Sequence, residues 1–158
     1  MRALIATATA LMLLSGASLA MAEEVTRDTY TAAVEPICKT NTEANEKILK
    51  GVRAEVKAGK LKPAGAQFSK AAAALKKAVA QLKAVPQPTA DAAKLSKWLG
   101  YVKEESSLFE AGAKALKAGN KGKTQTVVVQ LTHTANLANS EVLSFGFRYC
   151  KLEPSKFT

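Results

Sequence analysis

Apolar residues recur at three- and four-residue steps in four segments of the chain, separated by breaks rich in Gly, Pro and Lys. That spacing is the signature of a helix with one buried face. The first segment, about 26–57, aligns Tyr30, Val34, Ile37, Asn41, Ala44, Ile48 and Val52, with Cys38 and Leu49 alongside. Pro36 falls inside it, and a residue without an amide donor that crowds the preceding turn predicts a kink or a restart there. The second segment, about 63–84, opens with Pro63, suited to a first turn, and aligns Phe68, Ala72, Leu75, Val79 and Leu82 before Val85-Pro86-Gln87-Pro88 stops it. Thr89 or Asp91 can cap the third, about 90–118. Its stripe is Leu95, Trp98, Leu99, Val102, Ser106, Phe109, Ala113 and Leu116, and Gly119-Asn120 supplies the stop. The fourth, about 124–145, aligns Val128, Leu131, Ala135, Ala138, Val142 and Phe145 up to Gly146.

Thr126-Val127-Val128-Val129-Gln130 is β-branched and by itself favours a strand. No second run could pair with it, and the helical spacing continues beyond it, so it is assigned to the fourth helix. Four helices joined by short connections predict an all-α, up-down-up-down four-helix bundle. In that topology the start of the first helix and the end of the fourth share a pole. Cys38 and Cys150, the two cysteines of the chain, stand there. A disulfide follows, and closing so long a loop restricts the unfolded chain by roughly 4–5 kcal/mol. Two sulfurs and one histidine fall short of a structural zinc shell.

The compartment agrees with that pairing. Residues 1–22 combine a basic start at Arg2, an apolar run from Ala3 to Leu14 and small residues at Ala20-Met21-Ala22, the pattern of a cleaved secretory signal. No other apolar run is long enough for a transmembrane anchor. Residues 23–158 then form one domain in a secreted or extracytoplasmic setting, where two cysteines favour a disulfide. The set Tyr30, Val34-Glu35-Pro36-Ile37-Cys38, Pro86-Gln87-Pro88, Leu95, Trp98-Leu99 and Phe145-Gly146-Phe147 with Cys150 resembles small exported helical-bundle proteins of high-GC Gram-positive bacteria. The resemblance implies an exported bundle with a cysteine near each end of the domain. It brings no activity and no functional residues.

Candidate chemistry is sparse. His133 is the sole histidine and no Gly-x-Ser-x-Gly turn exists, so a triad hydrolase is not supported. Covalent haem needs Cys-x-x-Cys-His, and a di-iron bundle needs two Glu-x-x-His pairs; neither is present. Glu104 and Glu105 diverge by about 100° on a helix and cannot act as paired carboxylates. Neither an enzyme nor a cofactor or metal site is expected. Trp98, Phe68, Phe109 and Phe145 are in phase with their stripes and read as core anchors. Asn41, Glu105 and Ser106 interrupt the apolar stripes at mid-depth and form a candidate polar core layer. The simplest arrangement buries Ser106 and lets Glu105 lean into solvent, because an unpaired buried carboxylate is costly.

Charge changes the picture most. The chain has 23 Lys and Arg against 13 Asp and Glu, a formal net charge of +10. Arg53, Lys57, Lys60 and Lys62 flank the first connection, and Lys114, Lys117, Lys121 and Lys123 flank the third. An up-down bundle brings those connections to one pole, opposite the cysteines. Glu23, Glu24, Asp28, Glu35, Asp91, Glu141 and Glu153 go to the other, predicting a bipolar molecule. The simple explanation is that lysines at helix C-termini complement the helix dipoles. The functional one is attraction to an anionic envelope polymer, lipid headgroups or an acidic protein face. Nucleic acid is not expected, because the chain is exported and no aromatics interleave with the basic cluster. The sequence therefore points to a non-enzymatic binding module, with a carrier of a small apolar ligand between helices as the alternative.

Overall fold

The computed structural model describes residues 24–153; the expected signal segment lies outside them. Among the described residues the regular elements are all helical: α1 (Arg27–Ile48), α2 (Val52–Lys57), α3 (Leu61–Lys83), α4 (Ala92–Lys117) and α5 (Lys121–Glu141). Short 3-10 turns at Thr89–Asp91 and Leu143–Phe145 lead into α4 and follow α5. No described helix is long and apolar enough to cross a membrane.

The four long helices sit close to their expected ranges, and the differences have local causes. The first segment does break, but after Ile48 rather than at Pro36. Pro36 and Ala32, whose carbonyl loses its helical donor, are both exposed, so the defect faces solvent and α1 runs through it. At Gly51 the backbone turns left-handed (φ 81°), a conformation that glycine adopts without penalty, and the chain restarts as α2. α5 ends at Glu141, earlier than expected, and the segment to Gly146 tightens into a 3-10 turn instead. The β-branched run is helical, as assigned. Asp91 occupies the cap position of α4, yet its side chain caps nothing; it is engaged by Arg27.

Packing follows from these helices. Buried Phe68, Leu75, Val79 and Leu82 of α3 meet Leu95, Trp98, Leu99, Val102, Phe109 and Leu116 of α4 in one core. On α1 the deeply buried column is Tyr30, Val34, Cys38, Asn45 and Leu49, whereas Ile37, Asn41, Ala44 and Ile48 are half-buried. The helix is thus rotated from the stripe read in sequence. On α5 Val127 replaces Val128 as the buried residue, for the same reason. Successive long helices are antiparallel. The start of α3 meets the end of α4 at Gly65, and the end of α4 meets the start of α5 where Gly112 approaches Val127.

The seam between α1 and α5 is covered by the chain that follows α5. Cys150 is bonded to Cys38, midway along α1 rather than at the expected pole, with a Cα–Cα distance of 5.0 Å, closing a loop of sequence separation 112. The Glu35 carboxylate accepts the backbone N–H groups of Arg148 (2.8 Å) and Tyr149 (3.0 Å). Asn139 of α5 exchanges two 2.9 Å bonds with the backbone of Leu152. Phe147 follows the Gly146 turn into the core, where its ring lies 5.5 Å from that of Trp98 and 5.2 Å from that of Phe145.

Gly65 gives a sharp test of this packing. A Cβ there would stand 2.9 Å from the Ala113 carbonyl and 2.8 Å from Lys117 Cγ. The lysine can yield, whereas the backbone oxygen cannot without moving a helix. Gly→Ala in a helix interior ordinarily gains about 0.5–1 kcal/mol, and forced overpacking costs about 1–3 kcal/mol. Gly65→Ala should therefore lower the melting temperature by several degrees, measured by circular dichroism. A higher melting temperature would mean that α3 and α4 are not held this close.

Candidate functional site: a basic pole and a buried polar layer

The close approach at Gly65 is what assembles the basic pole. It holds the start of α3 against the end of α4, so Lys60, Lys62 and Lys117 share one end of the bundle, with Lys121 and Lys123 one short turn farther along the chain. The connections here are sharp. Gly59 and Gly119 are left-handed (φ 75° and 68°), and the N–H groups of Lys60 and Asn120 reach back to the carbonyls of Glu55 and Ala115, closing α2 and α4 as Schellman motifs. All eight predicted cations, Arg53, Lys57, Lys60, Lys62, Lys114, Lys117, Lys121 and Lys123, are exposed. Lys117 Nζ donates to Ser69 Oγ at 2.8 Å. Lys114 and Lys123 line a groove of about 380 Å³ with Ser107, Glu110 and Asn120. A second groove of about 330 Å³ continues across α4 toward α3, lined by Lys76, Lys83, Lys103, Ser107 and Glu110. Composition alone did not pick out these last three lysines, because they lie outside the connections.

The opposite pole corrects the bipolar expectation. Three of its carboxylates are engaged within the fold. Arg27 donates to both oxygens of Asp91 at 2.6 and 2.7 Å, and its guanidinium lies 5.4 Å from the centre of the Phe145 ring. The hydrogen bond from Arg27 holds the Asp91 carboxyl below its usual range. Glu141 lies 3.9 Å from Lys97, and Glu35 is taken up by backbone amides. Lys83 in the last turn of α3 and Lys94 in the first turn of α4 add cations to the same end. The molecule is basic at one end and balanced at the other; Glu23 lies outside the described residues.

At mid-depth a polar layer exists, with a different membership from the one expected. Asn45, Glu105, Ser106 and Thr134 are buried, and Asn41 is half-buried, accepting a long 3.4 Å bond from Asn45 Nδ2. Ser106 Oγ donates to the Ala72 carbonyl at 3.2 Å. Glu105 does not lean into solvent. It is 3% exposed, its Oε1 has no hydrogen-bond partner, and burial, aided by the neighbouring charge of Glu104, pushes its carboxyl up to about 8. The cost of desolvation is met by keeping the proton rather than by reaching the surface. Asn45 and Thr134 are polar, so the apolar stripes run through their neighbours Ala44 and Ala135 instead. His133 is exposed. Among the described residues, no cluster of His, Cys, Asp or Glu could hold a metal ion.

No protein-family model, curated protein or solved structure matches this chain.

The protonated core carboxyl makes stability depend on pH. Below the ordinary value of 4.5 the folded and unfolded chains both keep the proton. Between 4.5 and about 8 the unfolded chain ionises and the folded one does not, so stability falls as pH rises. The full shift corresponds to roughly 4–5 kcal/mol. Glu105→Gln should therefore stabilise the protein by roughly 3–5 kcal/mol near pH 8 and by little near pH 4.5. Urea unfolding at both pH values checks it. A gain independent of pH would show that the folded carboxyl ionises in its usual range.

Proposed function

We propose that this is an exported, non-enzymatic binding module that holds an anionic polymer of the cell envelope at its basic pole. One observation carries the reading: half of the predicted cations stand where the helix dipole opposes them. A helix N-terminus already bears a partial positive charge and favours acidic residues in its first turn. The chain follows that rule at the start of α1. α1 begins with Asp28 and a capping box between Thr26 and Thr29; α4 is preceded by Asp91, although its own first turn carries Lys94 and no acidic residue. At the basic pole α3 begins with Lys60 and Lys62, α5 with Lys121 and Lys123, and neither has an acidic residue in its first turn. The simple explanation covers Lys57, Lys114 and Lys117, which end α2 and α4. It fails for the other four lysines, which raise a potential that two helix dipoles have already made positive.

Concentrated positive potential on an exposed end attracts polyanions and steers them in. The grooves on either side of Ser107 and Glu110 extend the cationic surface along α4, which suits an extended chain of phosphates or carboxylates better than one small anion. Export, the disulfide and the likeness to secreted bundles of high-GC Gram-positive bacteria agree on an envelope setting. The carrier reading draws no support from the cavity beside Cys38, Trp98 and Tyr149, whose volume of about 30 Å³ is that of a single water.

The inverted lysines make a test in which stability and binding move in opposite directions. Replacing Lys60, Lys62, Lys121 and Lys123 together by Glu should raise the melting temperature, since each change at a helix start is worth about 0.3–1 kcal/mol. The same variant should bind a purified polyphosphodiester or polyuronate at least about tenfold more weakly, the loss of only about 1.4 kcal/mol. Wild-type binding should also weaken steeply from about 0.05 to about 0.5 M salt, as screening shortens to a few ångströms. Replacing Lys83 and Lys94 at the balanced pole serves as the control. Binding unchanged by both the four substitutions and salt would reduce the basic pole to solvated helix ends.

A further inference from the structure

The solvent face of α5 is unlike every other face of the molecule. From Thr124 to Ser140 the chain holds no Asp, Glu, Lys or Arg, although Lys and Arg are spread over the rest of the surface. The core side of this helix is Val127, Leu131, Thr134, Ala135 and Ala138. At about 100° per residue the opposite side runs through Val129, Thr132, His133, Asn136 and Ser140, with Thr126 and Leu137 on its flank, all exposed. Val129 is 59% and Leu137 37% exposed, two of the few large apolar side chains left in solvent. The outward positions of the other long helices carry charge, as at Lys39 and Lys47 on α1, Lys76 and Lys83 on α3, and Lys103 and Lys114 on α4.

A face without charge in a strongly basic molecule suits one occupant above others, a second copy of the same chain. Two molecules with a net charge of this size repel wherever lysines meet, and α5 is where they can touch without that opposition. Charge depletion is also what distinguishes the centre of a protein interface. The positions fix the geometry further. His133 lies midway between Val129 and Leu137, about one helical turn from each. A two-fold axis crossing α5 at His133 therefore sets Val129 of one copy against Leu137 of the partner subunit, and the reverse. It also runs the two helices antiparallel, so that the basic pole of one copy lies beside the balanced pole of the other. Parallel pairing would set the two basic poles side by side.

We infer that the protein forms an antiparallel two-fold dimer through the solvent face of α5, with His133 on the axis. The contact is isologous, as a two-fold axis requires. A single helix pair lies at the small end of specific interfaces, so a dissociation constant on the order of 10 µM is expected. The inference is independent of what the basic pole binds.

Single cysteines introduced into the otherwise intact, disulfide-bonded protein read the register directly. Residues 126 and 140 each lie seven positions from the axis, roughly 10 Å along the helix. Like positions in the two copies are then about 20 Å apart, beyond disulfide reach, whereas residue 126 of one copy faces residue 140 of the other. Under mild oxidation His133→Cys should give a covalent dimer on non-reducing electrophoresis. Thr126→Cys and Ser140→Cys should each stay monomeric alone and cross-link when mixed. Cross-linking by each of the three alone would indicate parallel pairing and overturn the inference, as would no cross-link at all. Sedimentation equilibrium supplies the second reading: wild type should associate, and Leu137→Lys should remain monomeric with unchanged helicity. Wild type that stays monomeric to about 1 mM, some hundredfold above the expected constant, would also overturn it.

Discussion

The return of the chain across α1 is the constraint on which the rest of the structure depends. α3 and α4 pack along their whole length, and α5 packs on α4, while α1 leans mainly on α3. The remaining seam is closed by residues 146–152, held to α1 through the Cys38–Cys150 bond, Glu35 and Thr42, and to α5 through Asn139. The stitching is polar and covalent at the edges and apolar beneath, where Phe147 enters beside Trp98. The Glu35 carboxylate supplies acceptors to amides that no helix satisfies, the usual requirement for buried irregular backbone. Loss of the disulfide alone would leave those hydrogen bonds to hold the seam against the entropy of a long free tail.

How much of this was legible in the sequence depended on whether the governing force acts between neighbours along the chain. The stripes of α3 and α4 could be read directly because large apolar residues, Phe68, Leu75, Val79 and Leu82 on one and Leu95, Trp98, Val102, Phe109 and Leu116 on the other, mark their buried sides at regular spacing. α1 was harder: Asn45 is buried and Ile37 half-buried, so the apolar moment and the true inward direction differ by a fraction of a turn. The end of α1 was missed because Pro36 is the stronger helix breaker by type. Its position on the solvent side weakens its effect, and Gly51, three residues past the end of α1, sets the boundary. Asp91 had the pattern of a cap, and a partner 64 positions away overrode it. A carboxylate bound in bidentate fashion by a guanidinium gains more than one capping amide offers.

Glu105 illustrates the same limit in the candidate site. The sequence set it at mid-depth but could not tell whether its side chain would reach water. Desolvation favours the surface only while the group stays charged; once protonated, a carboxyl is a modest burden in a layer that already holds Asn45, Ser106 and Thr134. The eight cations of the pole were legible as a cluster, since the topology fixes which connections meet. The balanced state of the other pole was not, because it depends on pairings such as Arg27 with Asp91 and Lys97 with Glu141 that cross between helices.

The two faces that stand apart from the rest are connected by the way charge is distributed. A basic bundle stays soluble by spreading lysines over its surface, and α1, α3 and α4 do so. α5 concentrates its cations in its first turn at Lys121 and Lys123, where the dipole disfavours them, and leaves the following five turns neutral. Helical stability alone would favour the reverse, with acidic residues at the start and charge pairs along the exposed side. Two departures from the stable pattern in one helix are hard to attribute to solubility, which either would serve poorly. They are consistent with a helix that presents cations at its tip to something anionic and a neutral flank to another copy of itself. In an antiparallel pair these requirements do not conflict, since the tips point to opposite ends and the flanks meet between them.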